Sequence, residues 1–394
     1  MSDRLFKVDE DETVQSSSGS ASSSLSTSVS TSASTKDQQK STATYSYHTS
    51  DKSILDTVHD STWMYIANLF ATYLPWVTPN MVTLIGFTPL FMLFMTYLCG
   101  YISDASMYFW LAPLIVLYIN MDAVDGKLAR LTNRSSPFGQ MVDHGCDAVM
   151  AGVMTFLLAA TLTSMYDSYF TRFTVALSVL AIYTGQMFCN LTEFYTGGMI
   201  VSIGKISTTE LGYACAVTAF IDYLIFASGF TTFGSVVHML CRLATIGLSS
   251  YGVHSLYTTL TTIPAGTKKK GTDALVKPFA FDDITHYIFT NIAVVLIMFM
   301  THFSVYEIVM SLLYISGSMI DIIFSNATKR DSVLFDNITL TVTCLKTFTV
   351  IFIGSGFLSM LFDMIVLVQF FSDKISKRDY ILARQEKLKA KKAE

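Results

Sequence analysis

The sequence predicts an all-α polytopic membrane protein with about ten transmembrane helices and an N-terminal interfacial amphipathic helix. Three observations predict it. Of 394 residues, 51% are hydrophobic and 14% are charged, where a soluble protein averages about 25% charged; mean hydropathy is +0.46. Long apolar runs recur from Met81 to Phe371. Basic residues collect in alternate connecting segments, as the positive-inside rule requires of a multi-pass chain.

Taken in order, residues 1–50 read as a disordered, Ser/Thr-rich cytosolic tail that buries too little apolar surface to offset its ordering entropy. Residues 51–78 mix Ile54, Leu55, Val58, Trp63 and Phe70 with Asp56, His59 and Asp60, too polar to span. They predict an interfacial helix with Trp63, Tyr65, Tyr73 and Trp76 near headgroup level. Pro79 then opens the first crossing, at a position where its missing N–H costs nothing. Crossings are expected at 79–100, 106–130, 141–165, 169–192, 209–228, 233–262, 283–302, 303–325, 334–354 and 356–374. Residues 79–228 form the expected core and 229–374 additional helices for dimerisation or lipid access. Residues 375–394 form a basic cytosolic tail.

Charge fixes the expected orientation. Lys127, Arg130 and Arg134, then Lys205, then Lys268, Lys269, Lys270 and Lys277, then Lys329 and Arg330, all fall on one side of an even number of crossings. That side is the cytosolic one and holds both termini. Lys391 and Lys392 stand where an endoplasmic-reticulum retrieval signal has its two lysines, so that membrane is expected, with the Golgi as the alternative. No cleavable signal peptide is visible in the polar first 50 residues. The six cysteines lack metal-ligand spacing and read as small core residues. Sequons at Asn133, Asn190, Asn326 and Asn337 fall in cytosolic segments or near membrane ends and are expected to be unused. The formal net charge of −4 lies in loops and tails and says little about partners; no nucleic acid is expected among them.

The chemistry concentrates between Met121 and Met150. Asp122 and Asp125 share a face at the end of the second crossing (i, i+3), and Asp143 and Asp147 share one at the start of the third (i, i+4). A hairpin of these helices gathers four carboxylates, which repel one another unless cations neutralise them. Hard oxygen ligands in such a group suit two Mg²⁺ or Mn²⁺ ions, which also bind substrate phosphates. Gly126 leaves room for a phosphate or nucleotide, Ala129 is small one turn on, and Arg130 is able to hold a phosphate bidentately. Gly139 permits close helix packing. His144 is the one group here whose ordinary pKa suits proton transfer near neutrality. Beyond the fourth crossing, Glu193, Tyr195 and Glu210 are candidates for an acidic and aromatic pocket for a cationic group.

Residues 122–147 meet every defined position of D-x2-D-G-x2-A-R-x8-G-x3-D-x3-D, and so resemble the CDP-alcohol phosphotransferase family. Asp-Gly-Lys at 125–127, Thr-Asn-Arg-Ser-Ser-Pro at 132–137 and Asp-His-Gly-Cys-Asp at 143–147 resemble its eukaryotic choline/ethanolamine branch. Pro79 to Gly86 is similar to the family's entry into its first helix. The resemblance implies transfer of phosphocholine or phosphoethanolamine from CDP-choline or CDP-ethanolamine to diacylglycerol or an ether-linked analogue, with release of CMP. It implies that Asp122, Asp125, Asp143 and Asp147 surround the two metals. Gly126, Ala129 and Arg130 would face the cytidine diphosphate, Gly139 would belong to the same binding set, and Asn80 would be a further contact. The base is His144 or, as the wider family has it, Asp147; a metal-bound carboxylate is the poorer base, because the cation lowers its proton affinity. A homodimer is expected on the family's habit alone. The rivals are another acceptor alcohol of the inositol type, and a non-enzymatic membrane carrier or scaffold.

Overall fold

The structure, a computed structural model, describes residues 53–165, 169–200, 202–203, 206–264, 266, 269, 275–279, 282–300, 305–328, 344–348 and 356–393. The predicted tail through residue 50, most of the predicted crossing 334–354, Lys205, Lys268, Lys270, Lys329, Arg330 and the sequon at Asn337 lie outside those residues. So do the side chains of Lys391 and Lys392.

The chain is built of helices: α1 (Ile54–Tyr73), α2 (Pro79–Leu98), α3 (Asp104–Leu131), α4 (Pro137–Met165), α5 (Tyr169–Thr196), α6 (Thr208–Ser228), α7 (Thr231–Thr262), α8 (Asp282–Met300), α9 (Val305–Ala327) and α10 (Gly356–Ala393). The described strands are two short ones, β1 (Ser202–Ile203) and β2 (Ile206–Ser207), paired antiparallel between α5 and α6. Among the described residues six helices are long and apolar enough to cross a membrane: Pro79–Leu98, Asp104–Leu131, Pro137–Leu158, Phe173–Thr196, Thr208–Ser228 and Val309–Ala327. The protein is therefore all-α and multi-pass, and each of the first eight expected crossings corresponds to a described helix.

Local chemistry sets the helix starts. Thr78 caps α2, its hydroxyl accepting from the Met81 N–H, with Pro79 in the first turn. Ser53 and Asp56 form a capping box on α1, and Ser207 and Glu210 form one on α6. At Gly86 α2 runs close against α3: a Cβ there would meet the Met121 Cβ at 2.8 Å and the Tyr118 backbone at 3.4 Å. One large apolar core, with Phe94, Tyr108, Ile115, Val153, Tyr183, Met187, Tyr287 and Met319 among its members, runs through α2 to α9. Large exposed apolar side chains such as Leu84, Phe109, Val217 and Leu296 face outward, as a lipid-facing surface requires.

The first helix departs from the expectation in one respect. Tyr65, Tyr73 and Trp76 are exposed as an interfacial belt would have them, but Trp63 is only 3% exposed. Its indole N–H donates to Asn120 Oδ1 at 2.8 Å, and Tyr213 donates to the same oxygen at 3.3 Å. His59 stacks between the Trp63 and Tyr213 rings, 5.5 Å from each. Asp60 pairs with Lys127, and Asp56 accepts from Thr209. Trp63 thus faces protein because a polar partner for its N–H lies on α3, inside the bundle. Trp63→Ala is expected to lose about 3–5 kcal/mol, read as a large fall in thermal midpoint. Tyr65→Ala should leave the midpoint nearly unchanged.

Helices α9 and α10 join through buried ion pairs. Lys346 is fully buried and bonds Glu307 on α9 at 2.6 Å and Asp363 on α10 at 2.8 Å. Asp321 on α9 pairs with Lys374 and Lys377 of α10, which also bond Asp373. No disulfide joins any of the cysteines, all of which are free. Asn190 is buried, with its amide donating to Gln186, so its sequon is inaccessible.

Candidate active site on the α3–α4 hairpin

The turn between α3 and α4 is built by residues that perform no chemistry. Thr132 ends α3, and Asn133 follows with φ of 56°, the left-handed conformation that Asn tolerates better than most residues. The Asn133 N–H then reaches the Arg130 carbonyl at 3.3 Å and the Arg134 N–H reaches that of Ala129 at 2.9 Å, satisfying carbonyls the helix end leaves open. Ser136 caps α4, its Oγ accepting from the Gly139 N–H at 3.0 Å, and Pro137 occupies the first helical position. The string from Thr132 to Pro137 is a helix stop followed at once by a helix start. It turns the chain sharply enough to bring the end of α3 to the beginning of α4.

The carboxylates meet across that hairpin. Oxygens of Asp122, Asp143 and Asp147 lie within 4.8 Å of one another. Asp125, buried one turn along α3, accepts from the Thr83 hydroxyl of α2. Asp147 accepts from the Tyr118 hydroxyl, one turn before Asp122 on α3. Arg130 folds back over Gly126: a Cβ on that glycine would stand 3.4 Å from the guanidinium. At Gly139 a Cβ would come within 3.4 Å of the Asn80 amide oxygen and 3.3 Å of Ser136 Oγ. Gly139 thereby admits Asn80 to the hairpin's edge. The donor set fits a divalent cation, because hard carboxylate oxygens converge from two helices.

The model of the CDP-alcohol phosphatidyltransferase family matches residues 76–247, a span that contains this whole arrangement. The chain carries a CDP-alcohol phosphotransferase domain. Among curated relatives, choline/ethanolaminephosphotransferase 2 of Arabidopsis thaliana is 39% identical over 111 residues, 26% of this chain and 28% of that one. Choline/ethanolaminephosphotransferase 1 of the same plant is 35% identical over 134 residues, 32% of this chain and 33% of that one. Cholinephosphotransferase 1 of Gallus gallus is 28% identical over 225 residues, 52% of this chain and 64% of that one. The matched stretches span about a third of the two plant relatives' length.

Within the phosphotransferase domain, His144 is buried and lies one turn beyond Gln140 on the same face of α4, within electrostatic reach of Glu193 on α5. Glu193 accepts from the Gln140 amide and, at 3.1 Å, from the Asn326 amide of α9. The three head-group candidates do not converge. The fifth helix continues to Thr196, beyond the expected end of that crossing, so Glu193 and Tyr195 sit two residues apart on nearly opposite faces. Tyr195 is buried against Phe194 and Phe279, with ring centroids 5.3 Å and 5.5 Å away. Glu210 closes the α6 capping box and accepts from the Leu55 N–H of α1 at 2.9 Å. Lys269 donates to the Phe194 carbonyl at 2.9 Å, a contact at the C-terminal end of α5 that favours a cation.

Thr83, Tyr118, Gln140 and Asn326 were not legible as site residues. Tyr118 and Gln140 carry a usable signal: each is a polar residue four before an acid or histidine of the motif, hence on the same helical face. Asn326 is brought in by tertiary packing of α9 and has no local signal.

Two predictions follow from this geometry. Mg²⁺ or Mn²⁺ at about 100 times its Kd should stabilise metal-free protein by about 2.7 kcal/mol, seen as a raised thermal midpoint, and Asp122→Asn should abolish the shift. Replacing Asn133 with a β-branched residue should lower the midpoint by straining the left-handed turn, whereas Asn133→Gly should not.

Proposed function

We propose that this chain transfers phosphocholine or phosphoethanolamine from CDP-choline or CDP-ethanolamine to diacylglycerol or an ether-linked analogue, forming phosphatidylcholine or phosphatidylethanolamine and releasing CMP. The observation that carries the reading is the convergence of Asp122, Asp143 and Asp147 on a hairpin that also carries Gly126 with Arg130 folded against it, within a CDP-alcohol phosphotransferase domain. The names of the plant and chicken relatives support the choice of head groups.

Asp122, Asp125, Asp143 and Asp147 would hold two divalent ions, Mg²⁺ or Mn²⁺, whose chemistry is to stabilise negative charge on the phosphates. Arg130 holds a phosphate oxygen, and Gly126, Ala129, Gly139 and Asn80 leave and edge the space for the nucleotide. His144 takes the proton of the acceptor hydroxyl, and the resulting oxygen forms its bond to the β-phosphorus. The bond from that phosphorus to the bridging oxygen breaks, and its electron pair leaves with CMP. Asp147 already accepts from Tyr118, which favours His144 over Asp147 as the base. Glu193, held by Gln140 and Asn326, is the acid best placed near His144 to attract the cationic head group. The basic loops and the terminal lysines support an active site on the cytosolic face of an endoplasmic-reticulum or Golgi membrane, with both termini cytosolic. A homodimer is part of the same proposal.

The test is lipid-reconstituted protein given diacylglycerol, Mg²⁺ or Mn²⁺, and each donor in turn, with CMP and lipid product measured. Metal-dependent product is expected, abolished by Asp125→Asn and reduced about 10²–10⁴-fold by His144→Ala. The ratio of kcat/KM between donors names the preferred head group. Folded protein that binds neither CMP nor metal and makes no product with either donor would sink the reading.

A further inference from the structure

Two hydroxyls outside the motif's defined positions meet two of its aspartates, and in each case the hydroxyl and carboxylate come from different helices. Tyr118 of α3 donates to Oδ1 of Asp147 on α4. Thr83 of α2 donates to Oδ2 of Asp125 on α3. Both donors are buried, Tyr118 at 6% and Thr83 at 4% exposure, so bulk water does not compete for either bond. Thr83 also lies 3.3 Å from the Pro79 carbonyl, but its single proton goes to the nearer, charged acceptor. Tyr118 shares a face with Asp122 (i, i+4), so one stretch of α3 supplies both a cluster carboxylate and the donor that orients another.

A carboxylate oxygen that accepts a hydroxyl proton is a weaker and more hindered ligand than its neighbour, so such a carboxylate favours single-oxygen contact with an ion. Small cations such as Mg²⁺ and Mn²⁺ take few, single-oxygen contacts in octahedral geometry. Ca²⁺ takes six to eight oxygens and readily uses both of a carboxylate. We propose that Tyr118 and Thr83 are positioning residues of the metal site: each hydroxyl occupies one oxygen of an aspartate on a neighbouring helix, which fixes that side chain and biases the site towards small six-coordinate cations over calcium. The proposal rests on the metal-binding reading of the aspartates. It adds two residues that touch neither substrate nor ion and act through Asp147 and Asp125.

The test is Mn²⁺ titration of purified, metal-free, full-length protein by electron paramagnetic resonance, with Ca²⁺ affinity measured by competition. Tyr118→Phe removes only the hydroxyl and keeps the ring in its buried place. Thr83→Val does the same on α2, and Thr83→Ser restores the donor. Tyr118→Phe and Thr83→Val should each weaken Mn²⁺ binding about 10–100-fold, weaken Ca²⁺ binding less, and change the Mn²⁺ spectrum. Thr83→Ser should bind as the parent does. Unchanged Mn²⁺ affinity in both hydroxyl-deleting variants would overturn the proposal, as would an equal loss for both metals, which is what a merely structural role produces. A parent protein that binds no Mn²⁺ would overturn this proposal together with the phosphotransferase reading; a binding parent with unaltered variants would overturn this proposal alone. If Thr83→Val does not purify, Tyr118→Phe decides the matter.

Discussion

Carboxylates crowded at one end of an apolar hairpin repel one another, and the neighbouring structure is arranged to hold them there. Asp122, Asp143 and Asp147 come within 4.8 Å only because α3 and α4 are joined by a turn too short to let them drift apart. The turn depends on Asn133 in a left-handed conformation and on Ser136 and Pro137 restarting the helix. The close fit of α2 at Gly86 brings Thr83 to Asp125. Like charges at this spacing cost several kcal/mol in a medium less polar than water.

Much of this was legible in the sequence. The helix order follows from runs of about 20 apolar residues, and the hairpin face follows from i, i+3 and i, i+4 spacing of the aspartates. The structure adds what the Thr132 to Pro137 string does: it ends α3, folds the turn and starts α4. What was not legible depends on the packing of distant elements. Asn326 meets Glu193 across more than a hundred residues, and Trp63 finds Asn120 on another helix. The head-group candidates are separated for a local reason: α5 continues through Thr196 and puts Glu193 and Tyr195 on nearly opposite faces, while Glu210 is taken up in the cap of α6.

Charges buried deep in a membrane bundle commonly mark an ion path, which is what a carrier would need. Those of α9 and α10 are arranged differently. Lys346 lies between Glu307 and Asp363, and Asp321 lies between Lys374 and Lys377. Each cluster ties α9 to the chain that follows it, and each charge meets its opposite at contact distance. That pattern suits fixed joints in a scaffold, since opening either joint would strand a desolvated charge.

The capping box of α6 has a consequence for where the folding unit begins. The family match starts at residue 76, yet Glu210 uses one carboxylate oxygen on Ser207 and the other on the Leu55 N–H. A fragment cut at the domain's nominal edge would discard α1. It would leave Lys127 without Asp60 and Asn120 without the indole of Trp63, and would uncover the apolar patch of Val77, Val82, Val124 and Leu128. The smallest piece of this chain that closes its own surface therefore begins near Ser53, and α1 is the lid of the core beneath it.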